Sequence, residues 1–133
     1  MDIKFLKQFK LTPVQGFRFD NYCYGLASKK IRNFTGGQWN TAKVGDLIVL
    51  LPPSQGDTLT MGAAYSDVTA DRLTVGAAFT LLLVNWYWNQ MTDSLTDEQN
   101  EAFSDYYFGL RDAVWADNPN HTINTGKFFD LTD

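Results

Sequence analysis

Residues 73–88 carry no charged side chain, and only Thr74, Thr80 and Asn85 break their apolar character. A helix that is apolar on nearly all sides has no face to give to water. It belongs in the middle of a domain, with other elements packed around it. Its strongest run, Val75 to Val84, is about half of the ~20 residues that a membrane span needs, and Asn85 follows directly. The expectation is therefore a buried core helix and not a membrane anchor. Gly76, Ala77 and Ala78 allow a neighbour to approach it closely. A chain of 133 residues suits one domain over 1–133. Its 10 Phe, 6 Tyr and 4 Trp supply the area for a real core and argue against disorder.

Other elements are placed around that helix by breakers and caps. Residues 1–18 hold Phe5, Leu6, Phe9, Leu11 and Phe17 but also Pro13 and Gly16, which predicts an N-terminal arm or a short helix up to about Lys10. Residues 19–32 read as a helix capped by Asp20 or Asn21, with Lys29, Lys30 and Arg32 complementing the dipole at its end. Gly36-Gly37 breaks the chain. Gln38–Val44 and Leu47–Leu51 then read as strands joined by the two-residue link Gly45-Asp46. Pro52-Pro53 ends the second, Ser54–Asp57 turns, and Thr58–Tyr65 reads as a third strand. Thr69 is the expected N-cap of the apolar helix, with Asp71 in its first turn. Thr96-Asp97-Glu98-Gln99 is a capping-box pattern that opens a last helix, ending before Asn118-Pro119. Ile123, Phe128, Phe129 and Leu131 make the tail apolar enough to dock back on the body. Consecutive strands with short links exclude a βαβ array. The expected class is α+β, an antiparallel sheet of about three strands packed with about four helices.

Candidate chemistry is sparse. One cysteine excludes an internal disulfide and suits a reducing compartment, and the start of the chain shows no signal-peptide h-region. With one His and one Cys no usual zinc ligand set assembles, so no metal is expected. Gly36-Gly37 lacks the Gly-Lys-Ser/Thr of a phosphate loop, and no nucleotide cofactor is expected. A Cys23–His121 dyad, or a carboxylate pair, is the competing catalytic reading. Cys23 sits between Tyr22 and Tyr24, however, and core packing explains it more simply. Asp71, Asp93, Asp97, Glu98 and Glu101 flank helix starts, where carboxylates act mainly as caps and dipole partners. The reading is of a protein that is not an enzyme.

Charge divides along the chain. Residues 1–43 hold eight Lys/Arg against two Asp/Glu, a net of +6, whereas residues 44–133 hold three against thirteen, a net of −10. One reading is an ordinary acidic protein with a basic first segment. The other is an acidic face that steers toward a basic partner, such as a nucleic-acid-binding enzyme. A pI near 4.8 disfavours stable direct DNA binding, although the basic N-terminal cluster can still touch phosphate. On the last helix Phe108, Arg111 and Trp115 follow i, i+3, i+7 spacing, away from the Phe103/Leu110 core face. Either the C-terminal tail covers this stripe or it is an exposed aromatic–Arg anchor for a protein partner.

Several motifs, in order, also resemble one known family. Phe34-Thr35-Gly36-Gly37-Gln38-Trp39 resembles the aromatic–Ser–Gly–Gly–aromatic–Trp signature of the ArdB/KlcA antirestriction proteins. Val68-Thr69-Ala70-Asp71 is similar to that family's Met–Ser–Ala–Asp opening of a long apolar helix. Tyr107 with Leu110-Arg111-Asp112 resembles its Tyr–x–x–Leu–Arg–Asp helix, and Phe129–Asp133 its Ile–Phe–x–x–Ile–Asp ending. The departures are Gln38 for a second aromatic, Asn118-Pro119-Asn120 for a His-Pro-Glu turn, and a lengthened Met91–Asn100. The resemblance implies an α+β domain carried by plasmids, phages or genomic islands. It would act in the bacterial cytoplasm, protecting incoming DNA from type I restriction enzymes by binding. Gly36, Gly37, Trp39, Thr69, Asp71, Tyr107 and Leu110 then read as mainly structural motif positions. Phe108, Arg111, Asp112, Trp115, Asp130 and Asp133 are the candidate partner-binding residues. The alternative is a mobile-element accessory module with the same fold and another protein target.

Overall fold

The computed structural model describes residues 1–117 and 122–133. Helix α1 (Ile3–Lys7) and helix α2 (Pro13–Lys30) precede two β-hairpins, β1 (Asn40–Val44) with β2 (Leu47–Leu51) and β3 (Thr58–Gly62) with β4 (Asp67–Asp71). Helix α3 (Arg72–Met91), a 3₁₀ turn at Thr92–Ser94, α4 (Asp97–Asp117) and α5 (Thr125–Thr132) complete the chain. No helix among the described residues is long and apolar enough to cross a membrane.

The apolar segment lies at the centre of the fold, as its composition demands. In α3 every residue from Thr74 to Leu81 is buried. The helix meets β2 so closely that a Cβ on Gly76 would stand 2.5 Å from the Leu50 carbonyl oxygen. It also supplies a hydrogen bond there. The Thr80 hydroxyl accepts from the Leu50 N–H at 3.0 Å and donates to the Gly76 carbonyl at 2.7 Å. A strand edge left open is a template for unwanted pairing. Here a helix covers the edge of β2 that β1 does not, and Thr80 meets its buried backbone donor.

The expected class holds, but the strands are arranged differently. Instead of one three-stranded meander there are two separate antiparallel hairpins. Gly45-Asp46 is the link between Val44 and Leu47, with Gly45 at φ +58°. The strand expected over Thr58–Tyr65 ends at Gly62, because Ala63–Ser66 turns back into β4. Thr69 is therefore not a helix cap. It lies in β4 opposite Thr60, with the two hydroxyls 2.6 Å apart. Asp71 is the cap, its carboxylate accepting from the Thr74 N–H at 3.0 Å. Strand passes into helix with no loop between them, and only Val68 and Ala70 turn inward along β4. Two small inward residues leave too faint an alternation to mark a strand.

The N-terminus is also more integral than an arm. Phe5 and Phe9 are fully buried, and Phe9 stacks on Phe103 with centroids 4.5 Å apart. Pro13 does not break a helix; it begins one. Thr12, and not Asp20 or Asn21, caps α2 through a capping box with Gln15, and proline at the first helical position lacks only an N–H that would be unpaired anyway. The capping box expected at Thr96 and Gln99 is present. The two boxes are joined. The buried Gln99 amide donates to Gln15 Oε1 at 2.8 Å and to the Lys10 carbonyl at 3.0 Å. That pair ties the start of α4 to the start of α2. The apolar tail docks as expected, forming α5 with Phe128 and Leu131 buried.

Candidate functional site

Helix α4 has two opposed faces. Gln99, Phe103, Tyr106, Leu110 and Val114 are buried, and Tyr106 is anchored by a 2.6 Å hydrogen bond from its hydroxyl to the Ile48 carbonyl. Burial raises that phenol well above the ordinary tyrosine range. Opposite them lie Glu98, Glu101, Asp105, Phe108, Asp112 and Trp115, all exposed. Their spacing alternates three and four residues, which holds side chains on one side of an α-helix. The result is a single row of four carboxylates and two aromatic rings.

Phe108 is 57 % and Trp115 60 % exposed, so the C-terminal segment does not cover the stripe. It supports the Trp115 end of the stripe from the side. Phe129 of α5 stacks on Trp115 at 4.9 Å and 29°. The Arg111 guanidinium sits 5.8 Å from the Tyr107 ring and 6.0 Å from the Phe129 ring. Arg111 therefore belongs to the support, turned toward α5, and is half-buried. Trp115 has one face packed and much of its surface in water, so it is oriented before any partner arrives. Asp112, Asp130 and Asp133 are exposed. Glu98 and Glu101 have a ready local explanation as carboxylates near a helix start, yet with Asp105 they continue the Phe108–Trp115 row upstream. Extending the same helical spacing toward the capping box would have found them.

The glycine motif lies elsewhere and has another role. Gly36 and Gly37 adopt φ +91° and +121°, a region that side chains rarely tolerate. A Cβ on Gly37 would press on Pro53 at 3.0 Å. Trp39 is half-buried, packing against Phe79 at 5.6 Å, Phe34 at 5.9 Å and Tyr24 at 6.0 Å. A groove of about 920 Å³ runs beside the loop, with Arg32 and Arg72 in its walls. Both arginines are committed to structure. Arg32 pairs with Asp67 at 2.8 Å, the one ion pair among the described residues. That hydrogen bond holds Asp67 below the usual carboxylate range. Arg72 donates to the Pro52 carbonyl at 2.7 Å and to Asn40 Oδ1 at 3.0 Å, tying the open end of the first hairpin to α3. The motif is a joint between α2 and the first hairpin. Tyr107 and Leu110 likewise serve packing, Leu110 being fully buried.

Cys23 is 1 % exposed. Burial first, and the nearby Asp20 second, push its thiol up to about 12, with the N-terminal amine opposing weakly. A thiol is nucleophilic only as thiolate. His121, the other half of the conceivable dyad, and the Asn118-Pro119-Asn120 turn lie outside the described residues. The folded protein should resist an aromatic disulfide reagent at pH 8 and react fully once denatured. Rapid labelling of the native protein would contradict this burial. The shift also has a pH consequence. The buried neutral thiol suits the fold below the ordinary value of 9.0, and that contribution is lost as pH rises from there through about 12.

No family model and no curated protein matches this chain.

Proposed function

We propose that this chain is a binding protein that protects incoming mobile DNA by inhibiting host type I restriction in the bacterial cytoplasm, as the ArdB/KlcA proteins it resembles do. The observation that carries the reading is the open pair Phe108 and Trp115 on α4, with Trp115 supported from one side by Phe129. Aromatic side chains held in place and left in water are the usual anchors of protein–protein contact. The order of the resembling motifs, from the Gly36-Gly37 joint to the Phe129–Asp133 ending, supports the same reading. In this account the protein meets a protein partner and uses no cofactor or metal. The acidic balance of residues 44–133 opposes stable contact with DNA itself.

Expression in a host with an active type I system tests it. Recovery of unmodified phage or plasmid should rise when the protein is present in soluble form. Unchanged restriction, with folded protein confirmed in the same cells, overturns the reading for that enzyme.

A further inference from the structure

The outward row of α4 has more content than its two aromatic rings. From Glu98 to Trp115 it spans about 26 Å at the helical rise. Four of its six positions are carboxylates. None of Glu98, Glu101, Asp105 and Asp112 ion-pairs or hydrogen-bonds with another described residue. The only basic residue of α4, Arg111, is turned to the Tyr107 and Phe129 rings instead of to this row. Asp117, by contrast, is engaged, accepting from Thr122 and from the Ile123 N–H. The carboxylates of the row are therefore without a direct ion-pair partner among the described residues, while its apolar residues are grouped toward one end.

We propose that the row Glu98, Glu101, Asp105, Phe108, Asp112 and Trp115 is the docking surface for a basic protein face that sets Lys or Arg side chains around an apolar recess. This rests on reading α4 as a protein-binding face and adds the chemistry of the partner. Carboxylates spaced along one helix face attract and orient a cationic surface. Phe108 and Trp115 then select, among cationic surfaces, one with a recess to fill. The Lys and Arg side chains of such a face are what a protein that binds nucleic acid through its phosphates presents.

The test uses the whole chain and two probes. One is a synthetic amphipathic helix with lysines on one side and leucines on the other. The second is an oligolysine of equal charge. Amide shifts on titration with the lysine–leucine helix should concentrate on Glu98–Trp115 and on Phe129. Affinity should fall about tenfold between about 0.1 M and about 1 M salt, as the screening length shrinks from about 10 Å to about 3 Å. Glu101→Lys with Asp105→Lys should abolish binding, and Trp115→Ser should bring the lysine–leucine helix down to the level of oligolysine. Shifts scattered over the acidic surface, equal binding of both probes, or indifference to these variants would each overturn the proposal. Restriction protection separates the two levels. If the wild type protects and the Glu101/Asp105 reversal protects equally, the docking row fails and the function stands. If the wild type does not protect but the lysine–leucine helix maps to the row, the function fails and the row stands.

Discussion

Gly76→Val unfolds part of the stability of this protein, about 3 kcal/mol or roughly 10 °C in melting temperature. The reason is a single approach distance. A Cβ at position 76 would stand 2.5 Å from the Leu50 carbonyl oxygen and 2.9 Å from the Leu51 side chain. The first of these is backbone in a strand that β1 and α3 hold on both sides, so it cannot yield cheaply even where the Leu51 side chain turns aside. Moving α3 outward also stretches the bond from the Leu50 N–H to the Thr80 hydroxyl, leaving a buried donor unmet. Gly76→Ala is the sharper version. Alanine favours a helix over glycine by about 1 kcal/mol, yet the variant should still be destabilised because the same Cβ meets the same oxygen. Gly25→Ala, at an exposed position of α2, is its control, since nothing lies within 4 Å of a Cβ there. That variant should gain about 0.5–1 kcal/mol. Opposite signs for the same substitution, read in thermal or urea melts, confirm the packing argument. A stabilised Gly76→Ala would sink it.

Trp39 and Trp115 should separate folding from function. Trp39→Ala empties the contact with Phe79, Phe34 and Tyr24 and should cost about 2 kcal/mol of stability, less than a fully buried tryptophan would. Trp115→Ala gives up the stack on Phe129 and little else, so its melting should change by no more than about 1 kcal/mol. Protection from restriction should follow the reverse order. Trp115→Ala should lose about 2 kcal/mol of partner binding, roughly thirtyfold in affinity, and protection with it. Trp39→Ala should keep whatever protection its folded fraction supports. Melts run beside a plating assay decide the matter. A Trp115→Ala protein that protects as well as the wild type removes this face from the function.

Much of the fold is legible where the chemistry is local. The Thr96–Gln99 box, the Gly45-Asp46 link and the Leu47–Leu51 strand follow from short-range patterns that a few residues satisfy alone. Pro13 shows the limit. Proline before an apolar stretch reads as a stop or as a first helical position, and Thr12 with Gln15 decides between them only once the side chains meet. Strand β4 was hidden for a different reason. Its pairing partner Thr58–Gly62 supplies the ladder, and the five residues Asp67–Asp71 carry little apolar signal of their own. At the candidate site the aromatic pair was visible from spacing. The reach of the row to Glu98 was masked because carboxylates near a helix start already had a local explanation.

The sequence by itself determined that residues 73–88 must be largely surrounded, because that helix is apolar on nearly all sides, and that the fold around it would be α+β. It also determined where α4 begins and that its Phe103/Leu110 face turns inward. Only the tertiary structure decided what surrounds the central helix. Two separate hairpins do so, with Thr80 meeting the Leu50 N–H and Gly76 leaving room for the strand. It likewise decided that Phe129 props Trp115 from one side and leaves it open on the other. Periodicity reports which face of an element is apolar. Whether another element covers that face depends on contacts between residues far apart in the chain, and these are set when the whole core packs at once.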